Sequence, residues 1–180
     1  MKYCSACGAP VSLQVPPHDE RPRYVCKACD TVHYRNPTIV VGCIPEWEGR
    51  LLLCRRNIKP RINKWTLPAG YLENDETVTA GARRETWEET GAVVENLIPY
   101  RLYDIVHVKQ VYLMFRSGLR VPEFKTTHES SEVRLFKEEE IPWDDIAFPV
   151  IEETLRCYFR DRAEGTFTFQ VGEITKRMSK

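Results

Sequence analysis

The sequence has no excess of either charge, setting 26 Lys and Arg against 26 Asp and Glu. A balanced chain generates no long-range field that would gather nucleic acid or an anionic membrane, so any phosphate recognition has to be local. It also lacks an apolar run of about eighteen residues, and its start does not combine basic residues, an apolar stretch and a cleavage site. These absences lead to the expectation of a soluble, cytoplasmic protein with no membrane partner. No internal repeat or low-complexity segment is present. The 180 residues, 42% of them hydrophobic, are therefore expected to build one sizeable core and a small appendage.

A disulfide framework is missing too, because seven cysteines cannot all pair. Four of them instead form two Cys-x-x-Cys knuckles, Cys4/Cys7 and Cys26/Cys29, with eighteen residues between the knuckles. That spacing supports a tetrahedral four-thiolate zinc site. Such a closed shell offers no open coordination position, so one structural Zn²⁺ is expected to stabilise a ribbon over residues 1–35 and to take no part in chemistry. His18 and His33 are candidate extra ligands by their nearness in sequence, and are read as surface histidines ahead of that role. Lys2, Arg21, Arg23, Lys27 and Arg35 with Tyr3, Tyr24 and Tyr34 give the ribbon a basic, aromatic cast, diluted by Asp19, Glu20 and Asp30. A structural or dimer-forming role is expected ahead of nucleic-acid binding. Cys43, Cys54 and Cys157 are scattered and read as small reduced core residues without function.

Asn36-Pro37 marks a break, and residues 36–180 are expected to form the main domain. Apolar runs Thr38 to Ile44 and Leu51 to Cys54 flank the turn-like Glu48-Gly49, a hairpin pattern. A basic, Pro60-containing loop follows. Thr77 to Gly91 carries a helix of about four turns, with Thr77 able to cap its start and Gly91 placed to end it. Strands are predicted at Val93 to Ile98, Ile105 to Val108, Val111 to Phe115 and Val133 to Phe136, a second helix over Val150 to Arg160, and a last half-buried strand over Thr166 to Val171. Strands interleaved with two helices argue for an α/β fold, a sheet covered by helices.

On the first helix, Glu85, Glu88 and Glu89 fall at i, i+3 and i+4 and gather three carboxylates on one face. Outward from them the chain reads Gly70, five residues, Glu76, seven residues, then Arg84-Glu85-Thr86-Trp87-Glu88-Glu89-Thr90-Gly91-Ala92. This resembles the signature of the Nudix hydrolase family. Every charged and glycine position matches, while Thr86 and Ala92 stand where the family places bulky aliphatics, a departure expected to weaken the packing of the helix on the sheet. Carboxylates cannot bind a diphosphate directly, but they hold Mg²⁺ or Mn²⁺, hard ions that neutralise phosphate oxygens and activate water.

The resemblance implies an α/β/α sandwich with a mixed sheet preceded by the zinc ribbon. It implies Glu85 and Glu89 as metal ligands, Glu88 as ligand or catalytic helper, and a backbone carbonyl near Gly70 completing the site. Arg84 and Glu76 would form an ion pair that positions the ligands. The general base would come from the helix or from the loop Thr127 to Glu132, where Glu129 is the preferred residue and Glu132 the alternate. A homodimer is also implied.

The likeness extends along the chain through Cys26 to Pro37, Trp65-Thr66-Leu67-Pro68-Ala69-Gly70, Val133-Arg134-Leu135-Phe136 and Ile141-Pro142-Trp143. It matches a zinc-ribbon group of the family that includes bacterial hydrolases of ADP-ribose and a plant plastid hydrolase of FAD. The implied substrate is a nucleoside diphosphate linked to another moiety. A Ser-Gln-Pro-Trp segment characteristic of NADH pyrophosphatases is absent, and His107 occupies the region where ADP-ribose pyrophosphatases carry a proline. Both absences favour FAD or another dinucleotide. Trp65, Tyr71 and Tyr112 are candidates to stack on a ring system, and Arg55, Arg56, Lys59 and Arg61 to hold phosphates. Rival readings are a nucleotide- or nucleic-acid-binding ribbon protein and an enzyme acting on RNA caps.

Overall fold

In the computed structural model, which describes residues 1–175, the chain divides into two units after Pro37. The first is a three-stranded antiparallel sheet of β1 (Val11–Gln14), β2 (Arg23–Cys26) and β3 (Val32–His33), in that order.

The second begins with the hairpin β4 (Thr38–Trp47) and β5 (Arg50–Arg56). Trp47 pairs with Arg50, and the two turn residues, Glu48 and Gly49, both adopt left-handed backbone, φ 48° and 75°. That conformation matches the natural twist of the two strands, and glycine makes it cheap at the second position. There follow β6 (Trp65–Thr66), β7 (Ala69–Tyr71), α1 (Val78–Thr90), β8 (Val94–Ile105), β9 (Gln110–Leu119), β10 (Ser130–Phe136), α2 (Pro149–Ala163) and β11 (Gln170–Glu173). The sheet runs β10-β5-β4-β9-β8-β11, with β6 added on β5 and β7 on β4. The pairs β4–β9 and β8–β11 are parallel and the others antiparallel, so the sheet is mixed.

Alternation along the central strands sends neighbouring side chains to opposite faces. Val41 and Cys43 of β4, Leu52 of β5 and Phe115 of β9 pack with Val78 and Ala82 of α1. Their neighbours Ile44, Leu51, Leu53 and Met114 pack with Val150, Ile151, Leu155 and Tyr158 of α2. Two apolar clusters on two faces, each closed by one helix, make the α/β/α sandwich. Helix α2 starts with Pro149 in its first turn, where no intrahelical donor is lost, and carries Arg160 and Arg162 in its last turn beside the helix's negative end. Among the described residues no helix is long and apolar enough to cross a membrane.

Three expectations about elements need correction. Val106–Val108 is a 3₁₀ turn, not a strand. Its β-branched residues read as extended, but the chain must reverse there into antiparallel β9, and Lys109 closes the turn at φ 59° with its N–H on the Val106 carbonyl. The final strand starts at Gln170, later than the Phe167/Phe169 alternation indicated, because Phe167 packs in the core against Tyr100 and Tyr158. Thr86 and Ala92 do not loosen α1. Both are fully buried, and the Thr86 hydroxyl donates to the Ala82 carbonyl at 2.7 Å, leaving its methyl for packing.

Candidate active site

The first helix is held at both ends by the residues the sequence offers for the purpose. Thr77 Oγ1 accepts from the Ala80 N–H at 3.2 Å, a cap worth about 1 kcal/mol, and Gly91 ends the helix at φ 66° with its N–H on the Trp87 carbonyl. The ends set which face of the helix meets β7 and the loop that follows it. That face carries the carboxylates.

Arg84 lies at the centre of the cluster. Its guanidinium donates to both oxygens of Glu76, at 3.0 and 2.6 Å, to Glu85 at 2.7 Å, to Glu88 at 2.9 Å and to the Tyr71 carbonyl at 3.0 Å. The paired bonds tie the loop after β7 to the helix, as expected of an Arg84–Glu76 pair. The hydrogen bonds from Arg84 hold the Glu76 carboxyl below its ordinary range. Glu85 rests directly on Gly70, where a Cβ would come within 2.1 Å of its carboxylate. Only glycine at position 70 leaves room for that oxygen. Burial raises the Glu85 carboxyl above its usual value against the opposing pull of Arg84.

Glu89 is 5% exposed. Its Oε2 accepts from the Ala69 N–H at 3.1 Å and from the Cys54 thiol at 3.7 Å, and no cation is in salt-bridge contact with it among the described residues. Burial pushes its carboxyl up to about 8, opposed by the Ala69 N–H and reinforced by the Glu85 and Glu129 charges. A buried carboxylate without a cation is costly unless a positive charge is supplied.

Glu129 reaches the same cavity from the loop before β10. That loop is pinned on two sides: Thr127 Oγ1 donates to the Glu89 carbonyl at 3.4 Å and accepts from the Glu129 N–H at 3.2 Å, while the Asn57 N–H donates to the Glu129 carbonyl at 2.7 Å. Glu132 lies outside the cavity and faces Arg55 across the strand pair at 3.7 Å. The alternate base is thereby separated from the cluster.

The cavity has a volume of about 1020 Å³. Gly70, Arg84, Glu85, Glu88, Glu89 and Glu129 line it, together with Arg56, Lys59 and Arg61 from the loop after β5. Tyr71, Tyr112, His107 and Phe148 line it as well, and Gln110 Nε2 holds the Tyr71 hydroxyl at 3.1 Å. Two sequence candidates fall elsewhere. Trp65 is a core residue, edge-on to Phe136 at 4.8 Å, and Arg55 bonds the Asn63 carbonyl and Glu132. Phe148 was not singled out from sequence, since only the fold carries the start of α2 to this cavity, where the Arg56 guanidinium lies 5.2 Å from its ring centre.

In the N-terminal unit, the Sγ atoms of Cys4, Cys7, Cys26 and Cys29 lie within 4.8 Å of one another. The Cys4–Cys29 and Cys7–Cys26 separations are 3.7 and 3.5 Å, close to the roughly 3.8 Å edge of a tetrahedron with zinc–sulfur bonds of about 2.3 Å. The cluster fits a zinc ribbon. His33 is not simply a surface residue: Nε2 lies 3.3 Å from Cys4 Sγ, where an N–H would support a thiolate. Part of the basic cast is internally satisfied, as Arg23 bonds Asp19 at 2.9 Å and stacks 5.0 Å from the Tyr34 ring centre.

Comparison with known proteins adds to this geometry. A family model described as the NUDIX domain matches residues 36–168, and one described as Nudix N-terminal, a zinc ribbon, matches residues 2–35. A crystal structure of a NUDIX hydrolase from Nitrosomonas europaea is 51% identical, with a TM-score of 0.94 over 98% of this chain and all of the other. Phosphatase NudJ of Escherichia coli K12 is 30% identical over 128 residues, 68% of this chain and 83% of its own. An ADP-ribose pyrophosphatase from Streptococcus suis shares the fold at 20% identity, with a TM-score of 0.59 over 77% of this chain and all of its own.

Proposed function

The chain belongs to the Nudix hydrolase family, and from that premise we propose that it cleaves the diphosphate of a dinucleotide-like substrate, FAD, ADP-ribose or a relative, to a nucleoside monophosphate and a phosphorylated remainder. One observation carries the reading. A single cavity of about 1020 Å³ is lined by the acidic cluster with Arg84, by the three further cations Arg56, Lys59 and Arg61, and by aromatic rings. Its volume is at the upper end for small-molecule sites and suits an extended substrate better than a single small anion.

The donor set fits Mg²⁺ or Mn²⁺, being all oxygen, with Glu89 buried and lacking a cationic partner. Glu85, Glu88, Glu89 and the backbone carbonyl near Gly70 would hold the ion. A bound divalent ion neutralises phosphate oxygens and acidifies a coordinated water. The protein's own residues do the rest. Arg56, Lys59 and Arg61 bind phosphate oxygens that the carboxylates would otherwise repel. Tyr71, tethered by Gln110, and Tyr112 offer flat surfaces to a base or flavin. Glu129 accepts the proton of the attacking water as its oxygen bonds phosphorus, the bridging P–O bond breaks, and the released phosphate carries away the electron pair. Arg84 holds Glu85 and Glu88 in place and does not itself meet the reacting atoms. In the N-terminal unit, Cys4, Cys7, Cys26 and Cys29 would hold the structural Zn²⁺.

The test is incubation with FAD, ADP-ribose, NADH, nucleoside triphosphates and capped RNA, each with Mg²⁺ or Mn²⁺, with products resolved by chromatography. A nucleoside monophosphate released from a dinucleotide, and lost in Glu89→Gln, is the expected result. Metal binding without product from any of them would overturn the proposal. Cleavage of capped RNA alone would replace the substrate class.

A further inference from the structure

Cys54 has the spacing of an ordinary core residue. It follows Leu52 by two positions on β5, on the face that packs against α1, and is 1% exposed. An aliphatic side chain would satisfy that pattern equally well. The thiol, however, lies 3.7 Å from Glu89 Oε2. The Thr66 carbonyl is a second acceptor, at 3.8 Å, and the Ser130 hydroxyl also meets the sulfur. One proton has two acceptors in reach, and the carboxylate, charged once it holds an ion, is the stronger of them. The only other donor to Glu89 among the described residues is the Ala69 N–H, on the same Oε2 atom. Both bonds therefore fall on one oxygen and leave Oε1 free of protein donors.

We propose that Cys54 is a positioning residue of the metal site, its thiol and the Ala69 N–H together holding Glu89 Oε2 so that Oε1 is presented to the ion. This rests on the reading of Glu89 as a ligand. A carboxylate oxygen held by one backbone N–H can still shift about that donor, whereas a second donor from the sheet side engages its other lone pair and fixes where Oε2 sits, leaving Oε1 for the ion. Donors of this kind, one layer behind a ligand, typically matter about 10- to 100-fold in metal affinity or activity. Size also suits a thiol: the longer C–S bond and the larger sulfur reach the carboxylate from a Cα position seated in the sheet.

The experiment compares the wild type with Cys54→Val, which keeps the packing and removes the donor. Mn²⁺ affinity is measured without substrate by calorimetry, thermal unfolding of the metal-free proteins is followed in parallel, and the Mg²⁺ dependence of turnover is recorded. The expected result is Mn²⁺ binding about tenfold weaker in Cys54→Val, with a higher Mg²⁺ half-saturation, turnover at saturating Mg²⁺ retained, and a melting temperature near that of the wild type. If Cys54→Val does not fold, Cys54→Ala takes its place. Wild-type Mn²⁺ affinity in the folded donor-less variant would make the thiol a packing group and overturn the proposal. A wild-type protein that binds no Mn²⁺ would instead remove the metal-site reading on which it stands.

Discussion

Two arginines each hold carboxylates in this fold, and they serve opposite ends. Arg84 stands at an open cavity against Glu76, Glu85 and Glu88, with Glu89 and Glu129 nearby, so acid outnumbers base. Arg101 is sealed at 2% exposure between β8 and α2, where Asp161 meets it at 2.5 Å, the Thr168 carbonyl accepts a second bond, and Tyr100 donates to the same carboxylate at 2.8 Å. Arg160 bonds the other Asp161 oxygen at 3.2 Å, so the carboxylate of the second site is fully matched by cations. The first is left with surplus negative charge within the cluster itself, which a bound cation would relieve. A buried charge pair of the Arg101 kind preserves a packing arrangement, whereas the uncompensated cluster at Arg84 exists at the expense of stability, the usual mark of a functional site.

Substitutions should separate the two. The largest effect is expected for Glu89→Gln, which should lower turnover about a thousandfold, roughly 4 kcal/mol, while raising the melting temperature of the metal-free protein, because it removes a buried carboxylate with no cation. Steady-state kinetics beside calorimetric melting would check both, and a fall in melting temperature would contradict the account of the cluster. Asp161→Ala should do the reverse. It strands Arg101 and should cost about 3–5 kcal/mol in chemical denaturation with turnover of the folded fraction unchanged.

The same pair predicts a pH dependence. Burial alone would raise the Asp161 carboxyl, but the hydrogen bonds from Tyr100 and Arg101 together hold it below its ordinary value. With a lowered native pKa, the stabilisation is complete above about pH 4, the ordinary carboxyl value, and is lost as pH falls further through the native value. Asp161→Asn should remove that limb from the stability–pH curve below about pH 4.

Arg84→Lys comes next. A lysine cannot bond both Glu76 oxygens while reaching Glu85, Glu88 and the Tyr71 carbonyl, so activity should fall about 10- to 100-fold, with weaker metal binding and little change in melting. Unaltered metal affinity in this variant would make Arg84 dispensable for positioning. The smallest effect is expected for Arg120→Ala. Its contact with Glu95, at 3.8 Å and largely in solvent, should contribute less than about 0.5 kcal/mol in denaturation.

Much of the site was readable because its chemistry is local. Gly70, Glu76, Arg84, Glu85, Glu88 and Glu89 lie within twenty residues, one loop and one helix whose period brings them together. Thr77 and Gly91 mark the helix ends by their own conformational preferences. The four ribbon cysteines were legible for the same reason, each knuckle being a tight turn. The elements misjudged were those decided by distant neighbours: β-branched Val106–Val108, turned by the approach of β9, and Phe167, drawn into the core ahead of the last strand.

What the amino-acid order determined alone is thus the acidic cluster and its Arg84–Glu76 pair, because helix periodicity and turn geometry act over a few residues. Tertiary structure decided which candidates share the cavity. It brought Glu129 in beside Arg56, Tyr71 and Tyr112, turned Glu132 and Arg55 towards each other, and buried Trp65. It also set Cys54 against Glu89, thirty-five positions apart. These contacts arise from strand pairing and from the seating of a helix on a sheet, where register and facing depend on the whole core, and no local pattern encodes them.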